Sequence, residues 1–303
     1  MSSGAFDQES IRRSAKAGDL TLNYYEAGES TDAIGGGLPL IMLHGGGPGA
    51  SAWSNFGQAL PGFAANFRTL LVDQPGFGQS DKPAVVGNYF RFSSDAVVQL
   101  MDELGIEKAH ILGNSLGGGT ATRLALSHPD RVARLVLMGP GGLSLNLFHA
   151  DPTEGVQRLM DFAANPSKEA LRAFISTMVV DQSLVTDELV DQRFADATAP
   201  GAREAMASMG ASFWNPDWYE DGMLWREAHR LRHRVLLTWG REDRVNPIEG
   251  AFVALKQIPK ASLHVFPNCG HWAQVEAAAE FCEVATSFLA QHRAHHRESG
   301  KTS

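Results

Sequence analysis

A rhythm of short apolar runs, each closing on a glycine-rich loop, constrains this chain more than any other feature. Residues 38–43 end in HGGGPG, 68–72 in DQPGFGQSD, 109–112 in GNSLGGG and 135–138 in GPGG. Stretches with helical spacing lie between them, at 94–104 and 120–126. Short apolar strands alternating with helices describe a mostly parallel sheet covered by helices, the α/β class. A further strand is expected at 20–26, and the turn-rich stretch 29–37 suggests a hairpin-like start. Residues 1–17 read as a loose tail or an edge entry.

The rhythm breaks after Gly142. From 143 to 231 the spacing is helical, Met and aromatic residues are frequent, and no buried strand is evident. The rhythm resumes at 235–239 and 263–266 and closes with a helix from 275 to about 292. One core, residues 1–142 and 233–292, is therefore expected to be interrupted by a helical lid at 143–232 and followed by a polar tail at 293–303. A chain of 303 residues, 44% of them hydrophobic, has apolar material for one large core. Met160, Phe174, Met178, Phe194, Phe213, Trp214 and Trp225 are candidates to line a pocket beneath the insertion, although most such residues pack helices together.

Several function classes drop out on composition. A net charge of -8 leaves no cationic excess to displace counterions from phosphates, so no nucleic-acid partner is expected. One local arginine could still serve an anionic small substrate. The cysteines, Cys269 and Cys282, form neither a CxxC pair nor a zinc array and are expected as free thiols. The polar start MSSGAFDQESIRRS has no apolar signal region, and no run approaches the ~20 residues of a membrane span. The expectation is a soluble cytoplasmic protein with no membrane partner. With no HExxH, GxGxxG or P-loop lysine, neither a metal nor an organic cofactor is expected. The histidines of HRAHHRESGKTS read as part of a solvated tail.

Gly113-Asn114-Ser115-Leu116-Gly117 carries the chemistry. It follows an apolar strand and opens a helix, which is the context a nucleophile elbow requires. The turn is tight, so the residues flanking the serine are small, and the helix N-terminus supplies free N–H groups. Acyl-transfer chemistry also needs donors for a developing oxyanion. Leu116 N–H is one candidate, and Gly46 N–H in His44-Gly45-Gly46-Gly47-Pro48-Gly49 is the other. Further on, WGREDRVNP offers Asp243, with Glu242 as the lesser choice of acid, and NCGHW offers His271. Ser115, Asp243 and His271 follow the chain order of the α/β-hydrolase fold, each just past a strand. Histidine can take the serine proton near neutral pH, and the acid fixes its tautomer. His44 reads as a structural residue of its loop.

The stretches HGGGPGASAWSNF, LVDQPGFGQSDKP, GNSLGGGTATRLAL, LMGPGGLSLNLF, VVDQSLVTDELVDQRF, WGREDRVNP and NCGHWAQVE resemble the meta-cleavage product hydrolases, C–C bond hydrolases of aromatic and steroid catabolism. The resemblance runs from about residue 20 to 290. It implies a small-molecule dienoate substrate, no cofactor and a homo-oligomer, dimer or tetramer. It also implies binding roles for Gly45, Gly46, Asn55, Asn114, Ser183, Trp272 and Arg193, the last holding the substrate carboxylate. Guanidinium pairs bidentately with carboxylate, which suits Arg193, although taken alone this residue reads as a surface helix ion pair. Trp272 alone could equally be core packing. MGPGGLSLNLF, DPTEG and MLWREAHRLR are most similar to the branch that cleaves a ring-opened seco-steroid, with biphenyl-type enzymes next. An esterase or iminopeptidase on the same scaffold, and a hydrolase-fold receptor without turnover, are the rival readings. The serine at the elbow disfavours a dehalogenase, which would carry aspartate there.

Overall fold

The structure, a computed structural model, describes residues 6–31, 34–143, 145–147 and 150–291. Eight strands form one sheet: β1 (Arg12–Ala17), β2 (Leu20–Ala27), β3 (Leu40–Leu43), β4 (Thr69–Val72), β5 (Ala109–Asn114), β6 (Val132–Met138), β7 (Arg234–Gly240) and β8 (Ala261–Phe266). Their order is β1-β2-β4-β3-β5-β6-β7-β8. The pairs β1–β2 and β2–β4 are antiparallel and the remainder are parallel, so the sheet is that of an α/β-hydrolase fold.

Side-chain alternation divides the core. Along β3, Ile41 and Leu43 face one apolar cluster, with Leu70, Val72, Ile111, Leu135 and Leu137. Leu40 and Met42 face the other, with Leu71, Leu112, Val136, Met138 and Phe266. Successive strand side chains point to opposite faces, so a strand covered on both sides is apolar throughout. The helices Tyr89–Glu103 and Leu116–Ser127 cover the first face. Phe56, Phe63, Phe281 and Phe288, from helices on the other side, cover the second.

Of the two readings of the start, the edge entry holds: residues 12–17 form an edge strand. β1 is largely exposed, and charged side chains suit a sheet edge. The hairpin turns at Gly18-Asp19, between Ala17 and its partner Leu20, not at 29–37. Gly18 adopts φ 61, which the tight turn needs. Residues 29–37 instead belong to the connection from β2 to β3, because β4 lies between those strands.

Between β6 and β7 every described regular element is helical. The main helices are Glu154–Ala164, Lys168–Ser176, Asp187–Ala197 and Ala202–Trp214. Thr153, Ser167 and Thr186 cap the first three by accepting from backbone N–H groups of the opening turn. Phe162, Leu171, Phe174, Ile175, Met178 and Val190 make a third apolar cluster, against which Val245 and Trp272 of the core pack. Met160 and Trp214 do not line a pocket: they are 54% and 75% exposed, Met160 on an outer helix face and Trp214 stacked on Tyr219.

The closing helix is two, Ala273–Glu276 and Ala278–Ala290, with a break at Ala277. The tail expected at 293–303 lies outside the described residues. Among the described residues no helix is long and apolar enough to cross a membrane. Leu137 is fully buried near the end of β6, so Leu137→Ala is expected to cost about 2–5 kcal/mol in urea unfolding.

Candidate active site

Ser115 sits between the end of β5 and the helix Leu116–Ser127, at φ 50 and ψ -111. A non-glycine residue held there costs on the order of 1–3 kcal/mol and persists only where its surroundings over-determine it. Ser115 N donates to Met138 O (2.8 Å), while Ser115 O accepts from Gly119 N (3.1 Å) and Gly141 N (2.8 Å). The small flanking residues have a steric cause. A Cβ on Gly113 would overlap the Gly117 carbonyl oxygen, and one on Gly117 would overlap that of Leu43.

Asp243 and His271 come from the loops after β7 and β8. His271 Nδ1 lies 2.7 Å from Asp243 Oδ2, and the two residues are 3% and 6% exposed. Asp243 Oδ1 accepts from Val245 N (2.8 Å) and Asn246 N (2.9 Å), so both carboxylate oxygens are engaged. That bond assigns the proton to Nδ1 and leaves Nε2 as the basic nitrogen. Ser115 and His271 gather around one stretch of backbone. Ser115 N is bonded to Met138 O, and a Cβ on Gly139 would stand 3.1 Å from His271 Cε1. Among the described residues no hydrogen bond joins Ser115 Oγ to His271 Nε2. In apo sites such bonds are often long and tighten with substrate. Glu242 turns elsewhere: it accepts from Cys269 N (3.0 Å) and pairs with Arg241 (2.7 Å).

The glycine loop after β3 packs against the serine turn. A Cβ on Gly46 would stand 2.9 Å from Leu116 Cδ2. Neither Gly46 N–H nor Leu116 N–H has a protein acceptor among the described residues, so both are available to an oxyanion. Gly45 N donates to Asn55 Oδ1 (3.2 Å). His44 is fully buried; its Nδ1 donates to Gly45 O (2.8 Å) and its Nε2 accepts from Gln74 N (3.0 Å). Gln74 Nε2 donates to His44 O, and Gln74 Oε1 accepts from Ser93 and Thr120. Burial pushes the His44 pKa down, consistent with a neutral ring that must accept.

Arg193 is buried, not the surface ion pair its sequence neighbours suggest. Its Nε donates to Pro48 O (2.8 Å) and its guanidinium carbon lies 5.8 Å from the Trp272 ring. Burial lowers its pKa to about 10, with Asp196 opposing, so it stays cationic at neutral pH. No carboxylate forms an ion pair with it among the described residues. Asn114 is fully buried; its Nδ2 donates to Met138 O (3.3 Å), while Oδ1 has no protein donor.

Ser183 is not brought to this site. It is exposed, and its N–H and hydroxyl both donate to Asp181 Oδ1 (3.0 and 2.6 Å). A local turn of that kind satisfies the side chain where it stands. Cys269 is buried with its thiol pushed up to about 12, chiefly by burial, and so is inert as a nucleophile. Both cysteines are free. The His44–Gln74–Ser93–Thr120 network was not evident from sequence, where only the place of Gln74 just past β4 hinted at it.

A family profile described as "alpha/beta hydrolase fold" matches residues 39–278. The 2-hydroxy-6-oxo-6-phenylhexa-2,4-dienoate hydrolase of Burkholderia cepacia is 40% identical over 269 residues, covering 84% of this chain and 89% of that protein. The 2-hydroxymuconate semialdehyde hydrolase of a Pseudomonas species is 39% identical over 260 residues, covering 85% and 88%. The solved meta-cleavage product hydrolase of Pseudomonas fluorescens superposes with a TM-score of 0.80 at 34% identity, covering 93% of this chain and 98% of that one. The fold and the site thus define a hydrolase of the α/β class. Within that class, the chain belongs to the meta-cleavage product hydrolases.

His44 ties proton uptake to stability. Its folded pKa is depressed, so its stabilising contribution is complete above the ordinary value of 6.5 and is lost as pH falls through the folded value. Tm is expected to fall as pH drops below 6.5 toward the folded value, and more gently in His44→Gln; equal slopes in the two Tm–pH profiles would contradict this.

Proposed function

We propose that Ser115, His271 and Asp243 act as a catalytic triad that hydrolyses the C–C bond beside the 6-oxo group of a 2-hydroxy-6-oxo-dienoate. The observation that carries this reading is the 2.7 Å Asp243–His271 pair, buried beside a serine held at an elbow. The relatives support it, being named for the hydrolysis of such dienoates.

While the dienol is conjugated, the bond between C5 and C6 is hard to break. The proton of the 2-hydroxyl is first moved to C5, assisted by His271, giving a ketone through which a carbanion at C5 can be delocalised. Arg193, with unused guanidinium donors, takes the substrate carboxylate, while Asn114, Asn55 and Trp272 line the dienoate. Ser115 then attacks C6, His271 accepts its proton, and the N–H groups of Gly46 and Leu116 hold the oxyanion. The C5–C6 bond breaks, the departing dienolate takes the proton held by His271 and leaves as a hydroxydienoate, and water activated by the now neutral His271 releases the acyl group as a carboxylic acid. The helical insertion serves as the lid over this chemistry.

For the group beyond C6 we propose a seco-steroid of steroid catabolism, supported by the similarity of MGPGGLSLNLF, DPTEG and MLWREAHRLR to that branch. The 40% identical relative named for a phenyl-substituted dienoate favours a biphenyl-type product as the second reading. Steady-state kinetics on both ring-fission products, beside p-nitrophenyl esters and aminoacyl anilides, decide the matter. A higher kcat/KM for the seco-steroid is expected. Ester or anilide turnover far above C–C cleavage would overturn the proposal.

Two substitutions separate chemistry from binding. Ser115→Ala is expected to lose at least ~10³-fold in kcat while still binding the dienoate. Arg193→Gln removes a charge-assisted contact of about 1.5–3 kcal/mol, which predicts a weakening of substrate binding by about 10- to 100-fold. Equilibrium titration in the Ser115→Ala background measures it without turnover. A homo-oligomer, dimer or tetramer, is proposed as well, to be checked by sedimentation.

A further inference from the structure

The loop that carries His271 is not fixed by the sheet alone. Residues 178–181 of the helical insertion lie across it as a strap. Met178 O accepts from both His271 N (2.7 Å) and Trp272 N (3.1 Å). Gly270 passes so close beneath that a Cβ there would stand 2.7 Å from Met178 O, so only glycine lets the two chains meet.

Glu276, in the short helix that follows, closes this junction. One carboxylate oxygen, Oε2, accepts from Gly270 N (2.6 Å), within the histidine loop. The other, Oε1, accepts from Val180 N (2.7 Å) and Asp181 N (2.9 Å), within the strap. No cation pairs with Glu276 among the described residues, so three backbone donors carry its charge. Charge-assisted bonds of this kind are roughly twice as strong as neutral ones. A carboxylate suits the place because it offers acceptors on both sides and no hydrogen to clash with an N–H.

The division of labour is specific. Asp243 orients the imidazole ring. Glu242 braces Cys269 N from the core side. Glu276 fastens the backbone from which the ring hangs to the insertion. We infer that Glu276 is a positioning residue for His271, coupling the place of the imidazole to the seating of the strap 178–181. This rests on the reading of His271 as the base. A displacement of ~1 Å at a catalytic group can cost about 10²-fold in rate, so a backbone junction next to His271 governs the chemistry without touching substrate.

The test reads serine activation without depending on the natural substrate. Second-order rates of labelling by a fluorophosphonate probe are measured for the wild type, His271→Ala, Glu276→Ala, Glu276→Gln and the double variant His271→Ala/Glu276→Ala, with Ser115→Ala as the unlabelled control. Glu276→Ala is expected to label about 10- to 100-fold more slowly than the wild type. Glu276→Gln, which keeps the volume but turns N–H toward N–H on one side, falls between. In the His271→Ala background, Glu276→Ala is expected to cause no further loss, because the two act through one group. A wild-type rate for Glu276→Ala overturns the inference. So does the same fold-loss persisting without His271, which marks a merely structural role. A wild-type rate for His271→Ala removes the base assignment and the inference with it, a distinct result. Should Glu276→Ala fail to fold, Glu276→Gln is carried through the same cycle with the same criteria.

Discussion

The site depends on a backbone turn that no serine would adopt unaided. The positive φ at Ser115 is imposed from three directions: β6 accepts its N–H, and its own helix and the loop after β6 both donate to its carbonyl. Gly113 lets the turn close on the Gly117 carbonyl, and Gly117 lets it press against the Leu43 carbonyl at the end of β3; the Gly46 loop, which follows β3, packs against Leu116. Ser115 and the N–H groups of Gly46 and Leu116, the proposed nucleophile and oxyanion donors, are therefore placed by one packing event. The parallel order β3-β5-β6-β7-β8 then delivers Asp243 and His271 to the same end of the sheet, because every parallel strand ends on that side.

Burial treats the charges of the site unequally, and the inequality has chemical meaning. The Asp243 carboxylate is saturated, with two backbone N–H groups on one oxygen and the imidazole on the other. Arg193 spends one donor on a carbonyl and rests against an aromatic face, with capacity unused. A buried cation without its anion is costly, and a carboxylate-bearing ligand would relieve that cost. His44, also buried, avoids the problem by staying neutral and serving as donor on one nitrogen and acceptor on the other.

Much of this was legible in the amino-acid order, for reasons that also explain what was not. β3 through β7 announce themselves because strands covered on both faces are largely apolar, whereas β8, at the sheet edge, shows itself by the apolar run ending in Phe266. β1 does not: RRSAKA carries edge-strand charges and resembles any solvated segment. The break at Ala277 leaves the apolar spacing intact and so is invisible to periodicity. At the site, Ser115, Asp243 and His271 are marked by motif and chain order, and Arg193 became visible only through resemblance, since its burial is a tertiary fact. Ser183 shows the hazard of such transfer, because a neighbouring aspartate two residues away holds it at the surface. Glu276 accepts from backbone N–H groups of the strap, and Gln74 bonds a distant carbonyl and two distant hydroxyls; no local pattern records which partner a side chain will meet.

The placing of the helical segment between β6 and β7 has a consequence for biosynthesis. The turn at Ser115 emerges from the ribosome after β5, whereas the loop bearing His271 follows β8, the last strand among the described residues. A nascent chain thus contains Ser115, and β6 that holds its turn, before His271, the proposed base, has been made. With Ser115 as nucleophile and His271 as base, as proposed, the serine meets its base only when β8 docks, so the growing polypeptide is spared a premature nucleophile that cellular esters would acylate.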